Sequence, residues 1–204
     1  INTKIISLEN NLKGKKNAIK QGVLLSNSDY ILCLDADVSF NSNFLNIISS
    51  SIHESKDLYF IPLIEYSNGN VFSIIESFML SLVTLGSAKL NFPILSNGAA
   101  MLFKKSSFDE LNPFQNNLHI SSGDDLFLLQ SFKRNNKSFG LISPNETYVH
   151  TESPKLYKHY VSRALRWSGK MKSSSLHFTK LVGLLVLLSN YIILGLIIMC
   201  LFRP

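Results

Sequence analysis

The run Tyr30-Ile31-Leu32-Cys33-Leu34, followed by Asp35-Ala36-Asp37, constrains the fold more than any other part of this 204-residue chain. An apolar run of this length reads as a buried strand, and acids at its carboxyl end stand where open α/β sheets keep their ligand crevices. In an extended chain Asp35 and Asp37 project to the same side. Two negative charges held that close are costly unless a cation or protons intervene, so the pair suits a divalent metal. Magnesium-type cations are usually bound by one or two carboxylates plus substrate phosphates, which implies a phosphorylated substrate. An Asp-x-Asp after an apolar run also serves as a turn or a helix cap, and taken alone the tripeptide leaves both readings open.

The remaining pattern alternates. Residues 3–8 read as a strand, 16–26 as a helix, 30–34 as a strand, 42–51 as a helix and 58–63 as a strand. A long, mostly apolar helix follows over 72–90, with Glu76 and Lys89 as its only charges, suited either to burial or to a membrane interface. Beyond it, 99–103 reads as a strand, 124–134 as a helix, and 139–142 with 147–150 as a terminal strand pair. Strands alternating with helices predict an α/β domain around a largely parallel or mixed sheet.

Charge is distributed unevenly. Residues 1–152 carry 12 Lys or Arg against 14 Asp or Glu, whereas 153–204 carry 8 Lys or Arg and no acid. The whole formal charge of +6 therefore comes from the C-terminal quarter. That quarter also holds residues 181–202, a stretch of 22 without a charge. As a helix it is long enough to cross a hydrocarbon layer of about 30 Å. Lys155, Lys158, Arg163, Arg166, Lys170, Lys172 and Lys180 precede it, and Arg203 follows. The positive-inside rule then places the bulk of the chain in the cytoplasm. A basic segment abutting a span reads more economically as orientation and attraction to anionic lipid than as a nucleic-acid site, so no nucleic-acid partner is expected. Cys33 lies in the strand and Cys200 in the apolar tail, so a disulfide between them is not expected and a reducing compartment suits both. The chain starts at Ile1 without a signal-peptide pattern, and one strand before the acidic pair is fewer than a doubly wound sheet needs, so an N-terminal portion is expected to be missing.

Two further groups carry chemistry. Gly123-Asp124-Asp125 precedes an apolar run. Its acids either cap a helix and complement its dipole or, near a metal and a phosphate leaving group, take a proton from a nucleophile. Arg163-Ala164-Leu165-Arg166-Trp167 falls in a helix predicted over 156–172. Arginines three apart share a helical face, and guanidinium groups bind phosphate oxygens in pairs. Trp167, the only tryptophan, suits stacking on a sugar or anchoring at a membrane interface.

Lys13-Gly14-Lys15-Lys16-Asn17-Ala18, Asp35-Ala36-Asp37, Ser96-Asn97-Gly98-Ala99, Gly123-Asp124-Asp125 and Arg163-Ala164-Leu165-Arg166-Trp167 stand in one order along the chain. In order and approximate spacing they resemble membrane-bound family 2 glycosyltransferases with a GT-A fold, among them cellulose synthase, hyaluronan synthase and ceramide glucosyltransferase. The resemblance covers about residues 3–202. It implies a Rossmann-like mixed sheet over residues 1–154, N-terminally incomplete, a basic interface helix over 155–180 and a transmembrane helix over 181–202. It further implies that Lys15, Asp35 and Arg166 bind the nucleotide sugar, that Asp37 with Asp35 holds magnesium or manganese, and that Asp125 is the catalytic base. Asn97, Gly98 and Trp167 match the acceptor side. The implied partners are a nucleotide-sugar donor of the UDP-sugar type, a lipid or glycan acceptor, and a membrane, the bacterial inner membrane. Arg163 departs from the family pattern, since processive members usually carry Gln there.

Rival motifs fit less well. A haloacid-dehalogenase-type phosphatase needs a further Asp three or four residues after Gly-Asp, where Leu128 and Leu129 stand. A Walker-type loop at Gly14-Lys15 fails because Glu9 occupies the place of its first Gly and Lys16 that of Ser or Thr. A non-catalytic membrane scaffold is opposed by intact acids at all the expected places.

Overall fold

The computed structural model describes residues 3–8, 12–66, 71–120, 122–143, 145–152, 156–159, 161–163 and 165, and beyond these only positions 181, 184, 188, 191 and 199. In chain order the elements are α1 (Lys15–Leu25), β1 (Tyr30–Leu34), β2 (Ser39–Phe40), α2 (Phe44–Ser51), β3 (Leu58–Phe60), β4 (Leu63–Tyr66), α3 (Val71–Lys89), β5 (Ala100–Lys104), α4 (Lys105–Leu111), α5 (Asp124–Arg134), β6 (Phe139–Leu141) and β7 (Val149–Glu152). Mixed α/β architecture is thus observed. A four-stranded sheet runs β1-β5-β3-β6, with β5 antiparallel to both neighbours and β3 parallel to β6. A three-stranded sheet runs β2-β7-β4, its first pair antiparallel and its second parallel.

Alternation along β5 explains the layering. Ala100 and Leu102 face a cluster with Phe44 and Ile48 of α2, while Met101 and Phe103 face Ile19 and Val23 of α1 and Leu128, Leu129 and Phe132 of α5. Side chains alternate across a strand, so one central strand supplies two cores. Opposite Gly140 in β6, the Tyr59 ring fills the space a side chain would take, and a Cβ there would fall 2.5 Å from ring carbons.

Several expectations need correction. Residues 3–8 form no strand and pair with no strand among the described residues; Ile5 is 91% exposed. The strand expected over 58–63 is two strands, because the chain bends at Ile61 and Pro62, and Pro offers no N–H to a ladder. Phe60 O accepts from Ile142 N at 3.0 Å and Pro62 O from Val149 N at 2.9 Å, so the bend carries the chain from one sheet to the other. For the same reason β6 and β7 do not pair with each other: β6 lies beside β3 and β7 between β2 and β4. β1 is half-buried rather than buried, at the edge of the described sheet. β2 and α4 were not expected from the sequence.

Among the described residues no helix is long and apolar enough to cross a membrane. The span expected over 181–202 lies outside the described residues except at positions 181, 184, 188, 191 and 199. Of the basic segment, 157–159 and 161–163 are helical.

Candidate active site

Register between β1 and β5 builds the floor of the site. Leu34 pairs with Ala100, and the next residue, Asp35, donates its backbone N–H to Ala99 O at 2.9 Å. The acidic motif at the end of β1 and the Asn97-Gly98-Ala99 segment before β5 therefore share one edge of the sheet. Val38 N donates to Asp35 O at 3.3 Å, folding 35–38 into a turn. Asn97 Oδ1 accepts from Ala99 N at 3.0 Å, the local bond by which a short amide side chain holds a turn. Asn97 Nδ2 is shielded from solvent and has no hydrogen-bond partner among the described residues.

Lys15 ties the edge together. It opens α1 after Gly14, whose φ of 89° is a left-handed conformation that glycine adopts without strain. Lys15 Nζ lies 2.7 Å from Asp35 Oδ1, donates to Gly98 O at 2.7 Å, and lies 3.0 Å from Asp124 Oδ2. The last contact is electrostatic rather than an aligned hydrogen bond, since Asp124 Oδ2 lacks a bond of good geometry. An ammonium has three donors, and three protein oxygens lie within 3.0 Å of this one. Nucleotide binding by Lys15 therefore requires one of these contacts to yield, and the one to Asp124 is the longest. Burial alone would lower the Lys15 pKa, but Asp124 and Asp35 outweigh it, so the group is held above its ordinary value and stays charged.

The two acids of Gly123-Asp124-Asp125 open α5 and are both buried. Gly123, at φ 85°, makes the left-handed turn into the helix. Asp125 Oδ1 accepts from Leu126 N at 2.8 Å, using an N–H that the first helical turn leaves unpaired. Its other oxygen faces Gly98, where a Cβ would lie 3.3 Å from Oδ2. The structure thus gathers Lys15, Asp35, Gly98, Asp124 and Asp125, which the sequence separates by as many as 110 positions.

Asp37 is exposed on the turn after β1. No group of three or more His, Cys, Asp or Glu is gathered for a metal among the described residues. Asp35 is half-exposed and its Oδ1 pairs with Lys15, while Asp37 follows in a turn rather than in the extended chain expected to send both carboxylates to one side. Magnesium-type ions are commonly bound by one or two carboxylates, with water and substrate phosphate as the other ligands, and carboxylate is the donor type that Asp35 and Asp37 offer.

Lys16 was missed as a site residue. Although 4% exposed, its ammonium donates to Asn117 O at 2.8 Å and Ile120 O at 3.0 Å and lies 4.2 Å from the Phe127 ring centre. It braces the loop that leads into Gly123 and the first turn of α5. The available signal was its place on the buried face of α1, at the helical spacing of Ile19 and Val23. Arg163 forms an ion pair with Glu65 of β4 through Nη1 and Oε1, and Nη2 donates to Oε2 at 3.4 Å. Arg166 and Trp167 lie outside the described residues.

Residues 1–111 match the family model described as glycosyl transferase family 2. The matched span includes Lys15, Asp35, Asp37, Asn97 and Gly98 and stops short of Asp124 and Asp125. No curated protein matches the chain.

Proposed function

Since the chain belongs to glycosyl transferase family 2, we propose that it moves a sugar from a nucleotide-linked donor, a UDP-sugar, to a hydroxyl of a membrane-associated lipid or glycan, inverting the anomeric carbon. The observation that carries this reading is the convergence of Asp35, Gly98 O and Asp124 on Lys15 Nζ, with Asp125 Oδ2 against Gly98. A cation-bearing donor edge and a buried carboxylate meet within one site.

In this reading Asp125 accepts the proton of the acceptor hydroxyl. The resulting oxygen attacks the anomeric carbon, a new C–O bond forms, and the bond from that carbon to the diphosphate oxygen breaks, releasing the nucleoside diphosphate. The N–H of Leu126 on Oδ1 orients the carboxylate, whose Oδ2 faces Gly98. Lys15 places a positive charge beside the leaving group, and a well-aimed charge of this kind supplies roughly 3 kcal/mol of transition-state stabilisation. Asp37 and Asp35 would hold a divalent metal, which when bound supplies Lewis-acid neutralisation of the diphosphate. Asn97 Nδ2 offers a donor to a substrate oxygen on the acceptor side. Arg166 is assigned to the diphosphate and Trp167 to the acceptor. The apolar segment 181–202 supports an integral membrane location with the catalytic domain cytoplasmic.

The test is Asp125→Asn in the full chain, with a donor identified by a nucleotide-sugar screen. A positioned base contributes roughly a hundred- to ten-thousand-fold, so turnover should fall by that factor while donor affinity and melting temperature hold. Near-normal turnover in a folded variant would remove Asp125 from the chemistry, because Asn keeps an oxygen for the Leu126 N–H but loses the basic carboxylate.

A further inference from the structure

α3 buries its small polar residues and exposes its large apolar ones. Ser77, Thr84, Ser87 and Ala88 are buried, and Ser81 Oγ donates to Leu63 O of β4 at 2.9 Å. On the opposite side Ile75 is 51%, Phe78 59%, Met79 54% and Leu82 51% exposed. These four stand at i, i+3, i+4 and i+7, the spacing of a single helical face. An amphipathic helix at a water-facing surface has the reverse arrangement, and contiguous exposed apolar surface marks a site of interaction.

We propose that this face of α3 lies in the boundary between headgroups and acyl chains of the bilayer entered by residues 181–202, a proposal that rests on the membrane location given above. Two observations point to lipid as the occupant. The first is placement on β4: the strand holds α3 through Leu63 and holds the 161–163 helix through the Glu65–Arg163 ion pair. That helix belongs to the acid-free basic segment, which continues in sequence through Arg166, Lys170, Lys172 and Lys180 to the apolar stretch at 181. The second is composition. Ile75, Phe78, Met79 and Leu82 form an aliphatic and aromatic face without a charge, of the kind that enters the boundary between headgroups and acyl chains. Glu76 and Lys89 are the only charges in α3.

The experiment uses the full chain, with Cys33→Ala and Cys200→Ala, reconstituted into vesicles of phosphatidylcholine and phosphatidylglycerol. A single cysteine replaces Phe78 or Leu82 and carries a solvent-sensitive fluorophore; Asn46→Cys on the exposed side of α2 is the comparison. The fluorophores on α3 should be quenched more strongly by a nitroxide near the carbonyl end of the acyl chain than by one near its methyl end, and should resist aqueous iodide. The α2 label should respond only to iodide. If the protein floats with the vesicles but the α3 labels are quenched by iodide, or are reached by neither quencher because protein covers them, the α3 proposal is overturned and the membrane span stands. Failure to float after alkaline extraction would overturn the span and this proposal together.

Discussion

Gly98 and Asp125 are in contact across the site: a Cβ added to the glycine would lie 3.3 Å from Oδ2 and 3.4 Å from Cγ of the carboxylate. That spacing is tighter than most side-chain contacts, and Asp125 is also bonded to Leu126 N, so it has little room to retreat. Gly98→Ala should shift the carboxylate by a few tenths of an ångström. Misplacement of a catalytic group is felt steeply, so turnover should fall roughly ten- to a hundredfold. Donor affinity should hold, because Gly98 O keeps its place for Lys15. Unchanged turnover would show that this carboxylate does not need its present position.

Asp37 should matter to metal and little to folding. It is exposed on a turn, so Asp37→Asn should leave the melting temperature within the small range of surface substitutions, about 0.5 kcal/mol. Titration calorimetry of the donor with and without chelator checks the metal role. The unsubstituted chain should lose affinity on chelation, and the variant should be weak in both conditions. Equal affinity in all four measurements would remove the metal from this pair.

How far the site was legible follows from which interactions are local. The acids and the lysine carry their chemistry in the sequence, and the apolar runs that become β1 and α5 fixed where those residues fall on elements. Their meeting did not follow, because it depends on the antiparallel register of β1 with β5 and on the direction in which α5 enters. Neither leaves a periodic trace. The expectation of a terminal strand pair over 139–142 and 147–150 fails for the same reason: the two runs are close in sequence, while the break at Ile61–Pro62, more than 70 positions upstream of β6, sends them to different sheets. α3 was legible as a helix but not as one with its small polar face inward. The burial of Ser77, Thr84 and Ser87 and the contact of Ser81 with Leu63 decide that.

Cys33 gives a pH dependence with a definite sign. Burial pushes its thiol up to about 11 from 9.0; Lys15 opposes the rise, and Asp124 and Asp35 add to it. Unfolded chains release this proton near 9.0 while the native state keeps it to about 11. The native state then binds more protons across that window, so the Cys33 contribution to stability is full below it and falls as pH rises through it. In Cys200→Ala protein, alkylation of Cys33 by iodoacetamide should be slow at neutral pH and rise steeply towards the upper end of the window. Replacing Cys33 by Ala should flatten the alkaline fall in melting temperature. Rapid labelling of native protein at neutral pH would contradict the burial.

The ion pair of Glu65 with Arg163 docks the 161–163 helix on β4. Both side chains are nearly buried, at 2% and 12% exposure, so each charge draws much of its compensation from the other. Removing one partner of a buried pair strands the other and costs about 3–5 kcal/mol. For a chain of this size each kcal/mol moves the melting temperature by about 2–4 °C, so Arg163→Gln should lower it by roughly 6–20 °C. Combining Arg163→Gln with Glu65→Gln removes both charges and lets two amides face each other, which should restore most of the loss. Thermal melts of the two single variants and the double variant in one detergent form the cycle that isolates the pair. If the single changes add in the double variant, Glu65 and Arg163 act independently, and the docking of the 161–163 helix on β4 does not depend on their charges.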